Sequence, residues 1–198
     1  MAKKLGLISI LIIFIAGIVF TGFFNMGLSA TNEMEFCTSC HSMQVNFEEY
    51  QDTVHFKNRT GVQATCSDCH VPKAFIPKMV AKIVAAKDVY HEILGTIDTE
   101  EKYEAYRWQM AQSVWQKMKA SNSRECRSCH EFNNMELSLQ DRSARNKHGT
   151  AEDKDNTCID CHKGIAHSEP DEPDDWDEDE APVHWSVTVS NWFAHIDN

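Results

Sequence analysis

Apolar and polar positions alternate along the chain in blocks that predict a mostly helical protein. From Leu5 to Phe24 the sequence is uncharged and dominated by apolar residues. Twenty residues of helix at 1.5 Å each reach about 30 Å, the thickness of a bilayer's hydrocarbon core. A membrane helix over about 5–24 is therefore the first expected element. Residues 44–54 predict a short helix ending near His55. Phe75 to Leu94 predicts a longer one, with Phe75, Ile76, Met79, Val80, Ile83 and Val84 on one side and Lys78 and Lys82 one turn apart. Such a face bordered by lysines suits a membrane surface, with the ammonium heads reaching up to the headgroups. Asp98-Thr99-Glu100-Glu101 has capping-box spacing, with Asp98 as N-cap and Glu101 three residues on. It should open a helix to about Lys119 that carries Tyr103, Tyr106, Trp108, Met110 and Trp115. Residues 134–148 predict one more helix, ending at His148.

Charge refines the two ends. Lys3 and Lys4 precede the apolar run, which orients the N-terminus inward and the remainder outward. Leu28-Ser29-Ala30 loosely resembles a cleavage site, but the run exceeds the 7–15 apolar residues usual in a signal peptide, so a retained anchor is expected. The formal net charge is −11, yet Lys plus Arg and Asp plus Glu nearly balance before residue 169. From Glu169 onward there are 10 acidic residues and no Lys or Arg, a composition that cannot bury enough surface to fold. The chain thus divides into an anchor over 1–30, a domain over 31–168 and an acidic, disordered tail over 169–198. No basic face is present, which excludes nucleic acid as a partner.

The chemistry lies in four repeats of one pattern. Cys37-Thr-Ser-Cys40-His41, Cys66-Ser-Asp-Cys69-His70, Cys126-Arg-Ser-Cys129-His130 and Cys158-Ile-Asp-Cys161-His162 use all 8 cysteines. Each is C-x-x-C-H, in which two thiols add to the vinyl groups of one porphyrin and the histidine is carried to the iron. Paired C-x-x-C segments also suit zinc, and one pair alone suits a redox dithiol or a disulfide. Neither explains a histidine after every pair, a coincidence on the order of 10^-5 for a chain with His at 10 of 198 positions. Four covalent c-type haems are expected. The fold class is then mainly α: a single N-terminal transmembrane helix and a small, loop-rich, helical multihaem cytochrome c domain.

Four irons take up to eight axial ligands, and the motifs offer four histidines. His55, His148 and His167 lie within short reach of a motif and are the candidate distal ligands. His91 is a weaker candidate, and His184 and His195 lie beyond the acidic stretch. Three good candidates for four irons leave one haem without a distal histidine. Met43, in C-x-x-C-H-x-M, is a thioether that can ligate iron or merely pack on the ring.

These motifs resemble the NapC/NirT family of membrane-anchored tetrahaem cytochromes, with kinship to the small subunit of cytochrome c nitrite reductase. The resemblance covers roughly residues 5–168. It rests on the anchor followed by Glu35-Phe36 and the first motif with Met43, on His55 and Asn58-Arg59-Thr60-Gly61-Val62, and on Lys87-Asp88 with Tyr90. It continues through Gly95 and Ile97-Asp98-Thr99, Met110-Ala111-Gln112 and the run from Thr157 to His167. The resemblance implies a quinol dehydrogenase of the bacterial cytoplasmic membrane. Its partners would be the quinol pool, lipid and a periplasmic terminal reductase, nitrate reductase being favoured. It further implies that Met43 rather than His41 ligates the first haem. The other motif histidines, His70, His130 and His162, would bind their own irons, with His55, His148 and His167 opposite. Asp88 would be the acidic member of the quinol site and Lys82 the basic one. The tail after Pro170 has no counterpart in the resemblance.

Overall fold

In the computed structural model the described residues are 2–174 and 176, and among them the regular structure is helical with no strand. Helix α1 spans Ala2–Ala30. Its apolar stretch, Gly6–Ala30, is 25 residues and long enough to cross a membrane, six residues beyond the expected end at Phe24. The few polar groups along it are satisfied within the helix: Thr21 Oγ1 donates to the Gly17 carbonyl at 2.8 Å and Asn25 Nδ2 to the Thr21 carbonyl at 2.8 Å. A lipid environment demands this, because it offers no water to an unpaired polar group.

Seven further helices follow: α2 Met34–Cys37, α3 Ser42–Gln51, α4 Cys66–His70, α5 Phe75–Ile93, α6 Glu100–Ala120, α7 Arg124–Arg127 and α8 Arg142–His148. The helix expected over 134–148 is broken. Single 3-10 turns occupy Phe132–Asn134 and Leu137–Leu139, and only the last stretch is α-helical. Asp141 decides where α8 starts, since its carboxylate accepts the N–H groups of Ser143 and Ala144. The capping box expected from Asp98 and Glu101 does not form, and the N-cap lies one residue later. Thr99 is the N-cap and accepts from Lys102 N–H, while Asp98 pairs with the Lys102 ammonium at 2.7 Å.

Helix α5 begins with Pro77 in its first turn, where the missing N–H would have had no helical partner. It ends at Gly95, whose φ of +73° lets Thr96 N–H reach back to the His91 carbonyl at 2.9 Å. Pro77, Val80 and Ala81 are buried against the domain. Phe75, Ile76, Ile83, Val89, Tyr90, Ile93 and Leu94 stay exposed, so the helix has two apolar sides, one packed and one open. The sequence pattern had merged Val80 with the open side.

Little of the domain is a conventional core. Tyr50, Ile97, Tyr103, Trp115 and Ile159 are its main buried hydrophobic residues, together with buried Arg107 and Ser123. Tyr50 does a specific job: its hydroxyl donates to the His55 and Ala64 carbonyls, closing the loop between them. Phe56 sits edge-on to Tyr50 and Phe47. Gly61, at φ +73°, provides the left-handed turn in that loop. The start of the acidic segment is not wholly free, since the Trp176 ring stands edge-on to Trp108, 6.5 Å between centroids. The aromatic docking segment expected near Val183–Ile196 lies outside the described residues, as do His184 and His195.

Candidate haem sites and the path between them

The second and fourth motifs open a short helical turn, whereas the first and third begin inside one, and the second and fourth share one local device. In the second motif Thr65 N–H and Oγ1 donate to the Asp68 carboxylate at 2.8 and 2.7 Å. In the fourth, Thr157 N–H and Oγ1 donate to Asp160 at 2.8 and 3.0 Å. These are capping boxes of the form Thr-Cys-x-Asp, embedded in the motifs themselves. They fix the backbone between the two cysteines, and the Thr-x-x-Asp spacing was readable in the sequence. The hydrogen bonds at Thr65 overcome desolvation to hold Asp68 below the usual carboxylate range. At Asp160 the Lys119 ammonium leads, followed by the bonds from Thr157.

No two of the eight cysteines are joined by a disulfide. Among the described residues no group of three or more His, Cys, Asp or Glu could hold a metal ion, so the tetrahedral zinc alternative has no cage.

The histidines, by contrast, come together in pairs. The rings of His70 and His167 lie 6.2 Å apart between centroids, those of His130 and His55 6.1 Å, and those of His162 and His148 6.0 Å. Two metal–imidazole bonds of about 2 Å and two ring radii of about 1 Å bring a metal-bridged pair to about 6 Å. Each pair joins one motif histidine to one of the three distal candidates. The outer nitrogens fit as well. His167 Nδ1 lies 3.2 Å from the Asn46 carbonyl and His148 Nδ1 2.7 Å from Gln140 Oε1, which leaves Nε2 of both rings facing inward. His55 Nδ1 is buried with no hydrogen-bond partner.

Three of these imidazoles, His70, His162 and His167, are biased toward the neutral form that binds metal. Crowding by protein pushes His70 down to about 4, with His167 adding repulsion. Desolvation likewise lowers His162 and His167. His70 is nonetheless exposed, lining a cleft with Cys69, Lys117 and Glu125. The residues present therefore fit four haems. His91 is engaged elsewhere, its ring against Tyr90 and its Nδ1 3.4 Å from Thr96 Oγ1.

The four motifs form a row. Helix α2, with the first, packs on α4, with the second, which places Cys37 near Cys66. Helix α4 packs in turn on α7, with the third. Cys126 of the third lies within electrostatic range of both Cys69 and Cys158. The fourth motif rests on α6, and buried Ser123, just before α7, accepts the Ile159 N–H at 3.2 Å through its hydroxyl. Ser123 reaches that position with a left-handed backbone, φ +50°.

The first motif stands next to the membrane helix. Lys82 Nζ donates to Thr31 Oγ1 at 2.8 Å and to the Thr31 carbonyl at 3.2 Å, which ties α5 to the end of α1. Ser42, buried between His41 and Met43, donates to Glu92 Oε2 at 2.7 Å and ties the motif to the far end of α5. His41 is exposed and Met43 half-buried. Asp88 is turned away from Lys82, since six residues at 100° each place the two side chains about 120° apart. Its carboxyl lies near Lys87, His91 and Lys117. Desolvation by the surrounding protein raises its pKa, although the residue itself is exposed at the surface. Lys117, on α6, lies beside Cys69 and His70 and is pulled down by desolvation, against the attraction of Glu125 and Asp88. Neither Lys117 nor Glu92 was singled out by sequence, since each becomes relevant only through the packing of α5.

Comparison with known proteins shows the family. A model described as the NapC/NirT cytochrome c family, N-terminal region, matches residues 1–172. A protein of Allochromatium vinosum, described as of tetraheme cytochrome-c type, is 60% identical over 174 residues, covering 88% of this chain and 95% of the relative. The cytochrome c-type protein NapC of Escherichia coli is 51% identical over 171 residues, 85% of this chain and 86% of the relative. The denitrification system component NirT of Stutzerimonas stutzeri is 51% identical over 166 residues, 83% of each. No solved structure matches. With its four haem-attachment motifs and its membrane-length helix, the chain belongs to the NapC/NirT cytochrome c family.

Proposed function

We propose that this cytochrome oxidises quinol at the membrane surface and passes the electrons, one at a time, along its four haems to a periplasmic reductase. Nitrate reductase is the favoured acceptor, in keeping with the likeness to NapC and with the name of NirT as a denitrification component. The observation that carries the reading is the unbroken row from the end of α1 through motifs one, two, three and four. The haem domain lies on the periplasmic side, residues 31–168, with the anchor before it and the acidic tail after it.

The ligation we propose follows the ring pairs: His70 with His167, His130 with His55, and His162 with His148. At the first motif Met43 would hold the iron. Bound haem supplies one-electron storage and relay at each iron. The remaining work falls to the protein. The open side of α5, with Ile76, Ile83, Tyr90 and Ile93, rests in the headgroup region and brings quinol to the exposed carboxylate of Asp88. Quinol gives up two electrons, one at a time to the haem row, and two protons; Asp88 takes one hydroxyl proton on a carboxylate oxygen, releases it to water from its exposed side and takes the second in turn. Desolvation suits it to that task, because a raised carboxyl pKa lies closer to the operating pH. Lys82 acts by fixing α5 to Thr31 and so holding Asp88 at the depth of the membrane surface.

One observation favours a second reading, a passive carrier with no quinol chemistry: the ammonium of Lys82 is engaged by Thr31 and does not face Asp88. Purified protein in liposomes, mixed with a reduced quinol analogue, separates the two. Haem reduction on the time scale of turnover supports quinol oxidation. Haems that stay oxidised with quinol, yet reduce with dithionite, leave the passive carrier.

A further inference from the structure

We infer that Glu49 and Arg107 are positioning residues for His167, forming a clamp that holds this imidazole opposite His70. The inference rests on the ligation proposed above for the second haem. It concerns how a ligand from the far end of the chain keeps its place.

The need for a clamp follows from the local structure. His167 lies in the stretch after the fourth motif, and from Cys161 to Asp174 no helix orders the backbone. No ladder of main-chain bonds sets the position of His167, so tertiary contacts must. Arg107 and Glu49 provide them at the next residue. Glu49 Oε2 accepts Ser168 N–H at 2.9 Å, and Arg107 Nη2 donates to the Ser168 carbonyl at 3.1 Å. The same guanidinium pairs with Glu49 itself and, through Nη1, with Glu104 at 2.9 Å. Both main-chain polar groups of Ser168 are therefore gripped by one ion pair, which joins α3 to α6. On the other side of His167, its Nδ1 meets the Asn46 carbonyl. Asn46 is held by the Tyr103 hydroxyl, through contacts of 2.6 and 2.9 Å. Asn46 and Glu49 are one turn apart on α3, and Tyr103 and Arg107 are one turn apart on α6. Two parallel cross-links between these helices thus bracket the imidazole.

Stability alone is a poor reason for this arrangement. Arg107 is only 9% exposed, and a buried ion pair is often no more stable than an apolar replacement. What such a pair offers is geometry, because the planar guanidinium holds its donors in fixed directions, here Nη2 toward Glu49 and Ser168 and Nη1 toward Glu104. Burial pushes Glu49 up, but the bonds from Arg107 and Ser168 win and hold it below the usual carboxylate range. The clamp is therefore ionised throughout the neutral range. Partners that orient a metal-bound histidine typically change metal affinity by about 10- to 100-fold.

The test uses the full-length holoprotein with haem content verified, and counts low-spin haems by near-infrared magnetic circular dichroism. Glu49→Ala and Arg107→Ala should each shift the ligation of one haem toward the high-spin form, by on the order of 10- to 100-fold in the equilibrium. Added imidazole should restore the low-spin form. Glu49→Gln should keep it, because the amide oxygen still accepts Ser168 N–H. Glu104→Ala removes a partner of Arg107 that does not touch Ser168 and should change nothing. If Glu49→Ala and Arg107→Ala keep the parental spectrum while His167→Ala loses one low-spin haem, the clamp is wrong and the ligation stands. If His167→Ala also keeps the parental spectrum, the ligation itself is wrong. Should the alanine variants fail to mature, Arg107→Lys is read by redox titration, where a potential shift at a single haem is expected. Four unchanged potentials would overturn the inference.

Discussion

The pairing of histidines can be tested by asking whether two substitutions strike the same iron. His148 and His162 lie 6.0 Å apart, whereas His55 faces His130. His148→Ala should therefore remove one low-spin haem of the four that the motifs specify. His162→Met should perturb that same haem, and the double variant should lose no second one. His55→Ala combined with His162→Met should lose two, because these side chains belong to different pairs. This is a double-mutant cycle with a spectroscopic readout, and its interaction term is one whole haem for the true pair and none for the false one. The count of low-spin centres comes from electron paramagnetic resonance of the oxidised protein, normalised to haem by the pyridine haemochrome. Two haems lost in His148→Ala/His162→Met, with one lost in His55→Ala/His162→Met, would reverse the assignment and refute the reasoning from ring distances.

The pH dependence of quinol oxidation should follow Asp88. Only its ionised form accepts a proton, and desolvation raises its pKa, so the rate should fall as pH drops through a value above the ordinary 3.8; a stopped-flow pH series measures it. Asp160→Ala should cost about 0.5–2 kcal/mol by removing the capping box of the fourth motif. Because the carboxyl of Asp160 is lowered by folding, its contribution should be present above the unfolded pKa and fade as pH falls through the folded one, as thermal melts at several pH values would show. Ser123→Ala should leave the buried Ile159 N–H without its partner and cost about 1–3 kcal/mol, read from denaturant unfolding at constant haem content.

Much of the site was legible because haem chemistry is written in local sequence. Two thiols and a histidine must be contiguous to meet one porphyrin, so the four motifs were visible without any knowledge of the fold. The anchor was visible for a similar reason, since a bilayer sets a minimum apolar length. The set of distal candidates, His55, His148 and His167, followed from counting ligands. Their pairing did not, because it depends on which helices pack together, and His167 crosses the domain to reach α3. The relation of Lys82 to Asp88 was also hidden. Both lie on α5, but the lysine is drawn to the end of α1 while the carboxyl turns toward α6. The split of α5 into a packed and an open side escaped the pattern for the same reason: Val80 and Ile83 are equally apolar, and only their neighbours differ. The helix expected over 134–148 failed through local competition, as Asp141 caps a later start. The cap at Thr99 shows the opposite case, in which Lys102 draws the Asp98 carboxylate away from the position that the spacing alone would give it.

The central claim is that quinol delivers its electrons here with Asp88 taking the proton, and one measurement addresses it directly. Parental protein and Asp88→Asn, each with four haems and reconstituted in liposomes, are mixed with a reduced quinol analogue in a stopped-flow instrument, with dithionite as the control reductant. Asp88→Asn keeps the shape and polarity of the side chain and removes the base. The account predicts that quinol reduces the haems of this variant more slowly by on the order of 10^2 to 10^4, with the dithionite rate unchanged. Haem reduction by quinol at the parental rate in Asp88→Asn would contradict it.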